Sequence, residues 1–267
     1  MSSTYHTIAK TILQYIYDDR SMDHSTFEDL EVLLRNSLLC RSMYGPRNDF
    51  KKYTKDSGYS VVNEYSNTCG TYAVLLFHRH IRTMHLLFQG STRLLDYIVS
   101  CFCCPVPPTT CGYTHALMCG SVFSDIERDI GRFALAHSAS LLYVTGHSKG
   151  GSLARAFADI GSVRNPHAPF ATIVVTFGAP KSVSYPRVSS SPIYDEEKSM
   201  TFALEGDVVH DIPFFCVDHG PSRIIRSPGV LGSAASNCLL LHDMDVYVTT
   251  ITSLMVKTLI PTRHPHQ

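Results

Sequence analysis

The sequence predicts an α/β domain with a mostly parallel central sheet and helices on both of its faces. Three observations predict it. The apolar, β-prone run Leu141-Leu142-Tyr143-Val144 ends in Gly146-His147-Ser148-Lys149-Gly150, and a helix-compatible segment from Ser152 to Ile160 follows. Ala171–Phe177 (ATIVVTF) is almost wholly apolar, the pattern of a strand covered on both faces. Strand, helix and strand therefore alternate around Ser148, which reads as a doubly wound layout.

With 267 residues, 44% of them hydrophobic and 17% charged, the chain suits one large domain better than two. It reads as a single domain over 1–267, with a helical segment at 1–45 packed on it and a flexible tail at 261–267. Lys plus Arg and Asp plus Glu balance at 23 each, so no global field favours nucleic acid, and none is expected as a partner. No basic segment followed by an apolar core opens the sequence, and the last apolar stretch is broken by His242, Asp243, Asp245 and Lys257. Neither a signal peptide nor a membrane span is expected. Nine cysteines, an odd number, read as reduced thiols and an intracellular, cytoplasmic setting, with unconventional secretion left open.

In chain order, Tyr5, Ile8, Ile12, Tyr15 and Ile16 share one helical face over 4–18. Ser25-Thr26-Phe27-Glu28 resembles a capping box, and Phe27, Leu30, Leu34 and Leu38 carry a second helix to about Met43, which Gly45-Pro46 stops. Residues 47–68 read as loop with one short strand near Tyr59–Val62. Thr71–Phe77 and Met84–Phe88 are strands joined by a charged turn. His78, His80 and His85, with no Cys or carboxylate at ligand spacing, read as surface or partly buried side chains rather than metal ligands. Val122–Ala136 is a helix, and Ile160-Gly161 ends the helix after Ser148. Met200–Leu204 is a short strand, 214–238 mostly loop, and a final helix follows His242. The apolar segment 94–106 suggests a lid or interfacial contact, and its neighbours Cys101, Cys103, Cys104 and Cys111 lack clean zinc spacing.

Gly-x-Ser-x-Gly between a strand and a helix has a definite chemistry. It lifts the serine hydroxyl out of the sheet and aims the N–H of Lys149 at the charge that develops on an attacked carbonyl. A serine nucleophile needs a base, and the base an orienting acid, in the chain order Ser, acid, His on α/β-hydrolase scaffolds. Asp159, Asp195, Glu196, Glu197, Glu205, Asp207, Asp211 and Asp218 follow Ser148. Asp207, leaving the strand Met200–Leu204, is the first choice, with Asp211 its rival. Of His210, His219, His242, His264 and His266, position favours His242 at a loop-to-helix boundary, with His219 the alternative.

Four blocks then carry a family resemblance. Phe88-Gln89-Gly90-Ser91 is similar to F-R-G-[ST], and Thr145–Gly151 to T-G-H-S-L-G-G. Thr176-Phe177-Gly178-Ala179-Pro180 reproduces T-F-G-A-P, and Asp207–Pro213 follows D-x-V-P-x-L-P. With His242 and Tyr247 resembling a terminal His-x₄-Tyr, the chain resembles the class 3, fungal-type triacylglycerol lipases. The resemblance implies an α/β-hydrolase fold and a serine esterase acting on acylglycerols or related lipids. It implies Ser148 as nucleophile, Asp207 as acid, His242 as base, and Ser91 with the Lys149 N–H as oxyanion hole. Gln89 replaces the usual arginine, Lys149 an aliphatic residue, and the block at Met118-Cys119-Gly120-Ser121 departs from V-H-x-G-F. No metal or organic cofactor is implied. The expected partners are a lipid ester and, transiently, a membrane or lipid-droplet surface. A phospholipase or acyltransferase with the same triad, or an inactive lipid-binding scaffold, are the competing readings.

Overall fold

The computed structural model describes residues 24–91, 112–164, 170–181, 198–210, 223–227 and 241–259. The expected helix over 4–18, the segment 94–106, the cysteines from Cys101 to Cys111 and the tail at 261–267 lie outside them.

Helix α1 (His24–Ser42) forms where its leucine stripe requires. Leu30, Leu33, Leu34, Leu38 and Leu39 are buried at helical spacing. Pro46 ends this run but also starts another. At φ −54° it is the N-cap of α2 (Arg47–Asp56), and its carbonyl accepts from the N–H groups of Asp49 and Phe50. This corrects the loop expected there.

Seven strands follow: β1 (Tyr59–Ser66), β2 (Tyr72–His78), β3 (Thr83–Phe88), β4 (Leu141–His147), β5 (Ala171–Phe177), β6 (Met200–Leu204) and β7 (Arg223–Ser227). They stand side by side in sequence order, β1 to β3 antiparallel and β3 to β7 parallel. Helices α3 (Gly112–Met118) and α4 (Val122–His137) precede β4, α5 (Lys149–Arg164) follows it, and α6 (Met244–Leu259) comes last. Strand β7, expected as loop, is short and lies at the sheet edge. Helix α5 runs one turn past Gly161, since a glycine near a helix end costs only about 1 kcal/mol against alanine.

The strand order does not reverse, so the layout is not doubly wound. Right-handed crossovers that always advance in one direction place their helices on one face. Accordingly α3, α4 and α5 cover one side of the sheet, where Leu75, Leu86, Val144 and Val174 meet Phe123, Ile126, Leu153 and Phe157. The other side is closed by α1 and α6. There Leu34 and Leu38 meet Tyr143, Val175, Phe177, Phe202, Tyr247 and Ile251. Removing one such fully buried leucine to alanine costs about 2–5 kcal/mol.

His85 lies in this second layer and is fully buried, not at the surface. Its ring stacks on Tyr143 at 4.9 Å and its Nδ1 lies 3.3 Å from Asn36 Oδ1. Burial holds it well below the usual imidazole range. It is a neutral core residue.

Candidate active site

Strand β4 delivers Ser148 at the carboxyl end of the sheet, between β3 and β5. Ser148 has φ +57°, a left-handed conformation that a side chain adopts only at a cost of about 1–3 kcal/mol. The surroundings enforce it. Its N–H donates to the Phe177 carbonyl at 3.0 Å, and its own carbonyl accepts from Gly151 N–H at 2.9 Å in the first turn of α5. Gly146 and Gly150 face each other so closely that a Cβ on either would overlap backbone, that of Gly150 or of Phe88. The elbow predicted from the sequence is therefore a close-packed turn, with Lys149 as the first residue of α5, which sets its N–H in the first turn, where a helix supplies no acceptor of its own. The Lys149 ammonium points elsewhere and donates to the Gly70 carbonyl at 2.8 Å.

Asp207 follows β6 and is 2% exposed. Three donors converge on it. His242 Nδ1 lies 2.8 Å from Oδ2, the Tyr247 hydroxyl donates to the same oxygen at 2.6 Å, and Val209 N–H donates to Oδ1 at 3.0 Å. A buried carboxylate needs such partners. Burial, and then the Asp207 charge, hold the Tyr247 phenol well above its usual range, so it stays a donor. With Nδ1 committed to Asp207, Nε2 of His242 is buried and has no hydrogen-bond partner among the described residues. Gly178 keeps this corner open. At φ +50°, a Cβ there would lie 2.6 Å from the Tyr247 hydroxyl, 2.8 Å from Asp207 Oδ2 and 3.1 Å from His242 Cε1.

A cavity of about 450 Å³ joins these parts, lined by Arg41, Tyr44, Ser91, His147, Ser148 and His242 among others. Ser91 reaches it from the end of β3, where Gly90 lets the chain pass against Tyr44 and the His147 carbonyl. The structure thus brings Ser91, Ser148 and His242 to one cavity and pairs His242 with Asp207. Of the rivals, Asp211 and His219 lie outside the described residues, Glu205 is exposed, and His210 has its Nδ1 2.9 Å from the Ala179 carbonyl.

Two participants were not legible from spacing. The Tyr44 hydroxyl is hydrogen-bonded to His147 Nδ1 at 2.8 Å, and the His147 ring lies 4.6 Å from that of His242. Burial, then the neighbouring His242, hold His147 well below the usual imidazole range. Nothing in the sequence links position 44 to 147. Tyr247 carried a signal only through the His-x₄-Tyr motif.

The class 3 lipase family model matches residues 81–216, half of the chain, from β3 through Asp207. No curated protein sequence matches. The fold is similar to that of the Rhizomucor miehei triacylglyceride lipase, with 19% identity and a TM-score of 0.60 over 74% of this chain and 80% of that one. It is also similar to a variant of MDLA from Penicillium cyclopium, with 16% identity and a TM-score of 0.56 over 79% of this chain and 83% of that one. Lip2 lipase from Yarrowia lipolytica gives 15% identity and a TM-score of 0.54 over 74% and 79%. At these identities the likeness is one of fold, and the family match carries the assignment. The chain belongs to the class 3 lipase family and is a carboxylic ester hydrolase on an α/β-hydrolase fold.

Proposed function

We propose that the chain hydrolyses carboxylic esters of lipids, acylglycerols or close relatives, with Ser148 as nucleophile, His242 as base and Asp207 as orienting acid. The observation that carries this reading is the His242–Asp207 pair at 2.8 Å, whose Nε2, without a partner among the described residues, belongs to a residue lining the same cavity as Ser148. Nε2 takes the proton of the Ser148 hydroxyl as its oxygen attacks the acyl carbon, and Asp207 stabilises the imidazolium that forms. The oxyanion is held by the Lys149 N–H at the start of α5 and by Ser91. His242 then returns the proton to the leaving alcohol, and water, activated by the same base, releases the acyl group from Ser148.

Support for a lipid as substrate comes from the family and from the triacylglyceride lipase whose fold this one resembles. A fluorophosphonate probe tests the nucleophile. Folded wild type should label at Ser148, and Ser148→Ala and heat-denatured protein should not. A folded wild type that stays unlabelled with detergent present would overturn the reading. An ester panel on the same protein, from short-chain esters to acylglycerols, then tests the substrate class.

A further inference from the structure

Three cysteines fall among the described residues, and they stand in opposite settings. Cys40 is buried in α1, 3.5 Å from Thr145 Oγ1, and burial pushes its thiol up to about 12. Cys69 is exposed in the turn between β1 and β2, and Cys119 is half-buried just after α3.

These two are far apart in sequence but are laced together. Asn67 Nδ2 donates to the carbonyls of Ala116 at 2.6 Å and Cys119 at 3.1 Å, and Thr71 Oγ1 donates to Ala116 at 3.0 Å. Asn67 Oδ1 accepts from the N–H of Cys69 at 3.0 Å, which fixes the turn that carries it. Thr68 Oγ1 lies 3.8 Å from Cys119 Sγ, and one side chain, Asn67, bonds both the Cys69 N–H and the Cys119 carbonyl, so the turn that carries Cys69 lies directly against Cys119.

We propose that Cys69 and Cys119 form a reversible redox site, a dithiol that closes to a disulfide on exchange with a small disulfide of the glutathione type. Exchange can begin at either thiol and close on the other; from Cys119, half-buried beside the Thr68 hydroxyl, it proceeds in two steps. Cys119 Sγ attacks one sulfur of glutathione disulfide, and one glutathione thiolate leaves. Cys69 loses its proton and attacks Cys119 Sγ, and the second glutathione leaves. Two thiols are oxidised by two electrons and release two protons, and one glutathione disulfide is reduced to two glutathiones.

The bond would fasten α3 to the turn whose Gly70 carbonyl accepts the Lys149 ammonium, so it reaches the support of the elbow without touching the site. The redox site does not rest on the esterase reading, and either can fail alone.

The test uses the full chain. Reduced protein is treated with glutathione disulfide, free thiols are blocked with iodoacetamide under native conditions, and the digest is read by mass spectrometry without reduction. The expected product is one cross-linked peptide pair joining Cys69 to Cys119, two hydrogens lighter than the dithiol form and reversed by dithiothreitol. Cys40 should stay unmodified until the protein is denatured. Closing so long a loop should raise Tm by about 5 °C in the wild type and leave Cys69→Ser unchanged. In Cys69→Ser, a glutathione adduct should accumulate on Cys119. Recovery of both wild-type thiols as separate alkylated peptides would overturn the proposal. So would a persistent glutathione adduct without cross-link, or linkage of either residue to another cysteine.

Discussion

The Tyr44 hydroxyl is bound to His147 Nδ1 at 2.8 Å, which ties the chain just beyond α1 to the residue immediately before Ser148. The chain leaving a helix on the far face of the sheet thus holds the elbow from the cavity side.

Tyr44→Phe should remove that bond and leave the His147 nitrogen buried without it. A hydrogen bond of this kind contributes about 1 kcal/mol net. The variant should unfold at lower urea with an unchanged m-value, and its ester turnover should fall by less than about tenfold. A larger loss in turnover with stability intact would mean that Tyr44 touches the substrate.

Asp207→Asn keeps the shape of the pair but can present an amide N–H to His242 Nδ1. The imidazolium formed in the reaction then has no carboxylate to face, and the tautomer that frees Nε2 is no longer selected. Turnover should fall by about 10⁴-fold, with thermal stability measured alongside to separate the loss of chemistry from loss of fold.

Gly178→Ala tests geometry without touching an ionisable group. Its Cβ would press on the Tyr247 hydroxyl, Asp207 Oδ2 and His242 Cε1 together, and the left-handed backbone adds strain. Displacing the base by about an ångström should cost on the order of 100-fold in turnover. Fluorophosphonate labelling should slow in parallel, since in the proposed mechanism the same base activates Ser148.

Stability should fall on mild acidification because His85 and His147 are buried as neutral rings and held well below the usual range. Unfolded, each takes up a proton near pH 6.5, so the unfolded state binds more protons as pH drops. The stabilisation is complete above about pH 6.5 and declines below it, by about 1.4 kcal/mol per pH unit for each ring until its folded value is reached. Urea titrations at pH 7 and pH 5.5 measure this directly. His85→Gln, which keeps a polar group within reach of Asn36, should flatten the slope by one proton.

What the sequence revealed was what local chemistry dictates. The elbow was legible because Gly146, Ser148 and Gly150 must be close neighbours in the chain for the turn to exist. Strands β2 to β6 were legible from short apolar runs with polar breaks. Helix α2 was not. Only Phe50 and Thr54 of it are buried, too few for a stripe, and Pro46, read as a stop, is also a start. Strand β7, with five residues and arginine near both ends, gave no alternation to read. Chain order and position favoured Asp207 over Asp211 and His242 over His219 before the family pattern did, but the contact between His242 and Asp207, like that between Tyr44 and His147, is made only by the fold. The direction in which the strands advance was invisible in the sequence for the same reason.

That direction has a consequence for synthesis on the ribosome. The face of the sheet opposite the crossover helices is sealed by α1, near the start of the described chain, and α6, at its end, which pack on each other and are joined by the Arg41–Asp245 ion pair. A nascent chain that has made every strand still presents an open apolar face until α6 emerges, and the same last segment carries His242. In the proposed mechanism the base arrives only as the core is being completed, so a chain cut short before His242 is both aggregation-prone and without that base.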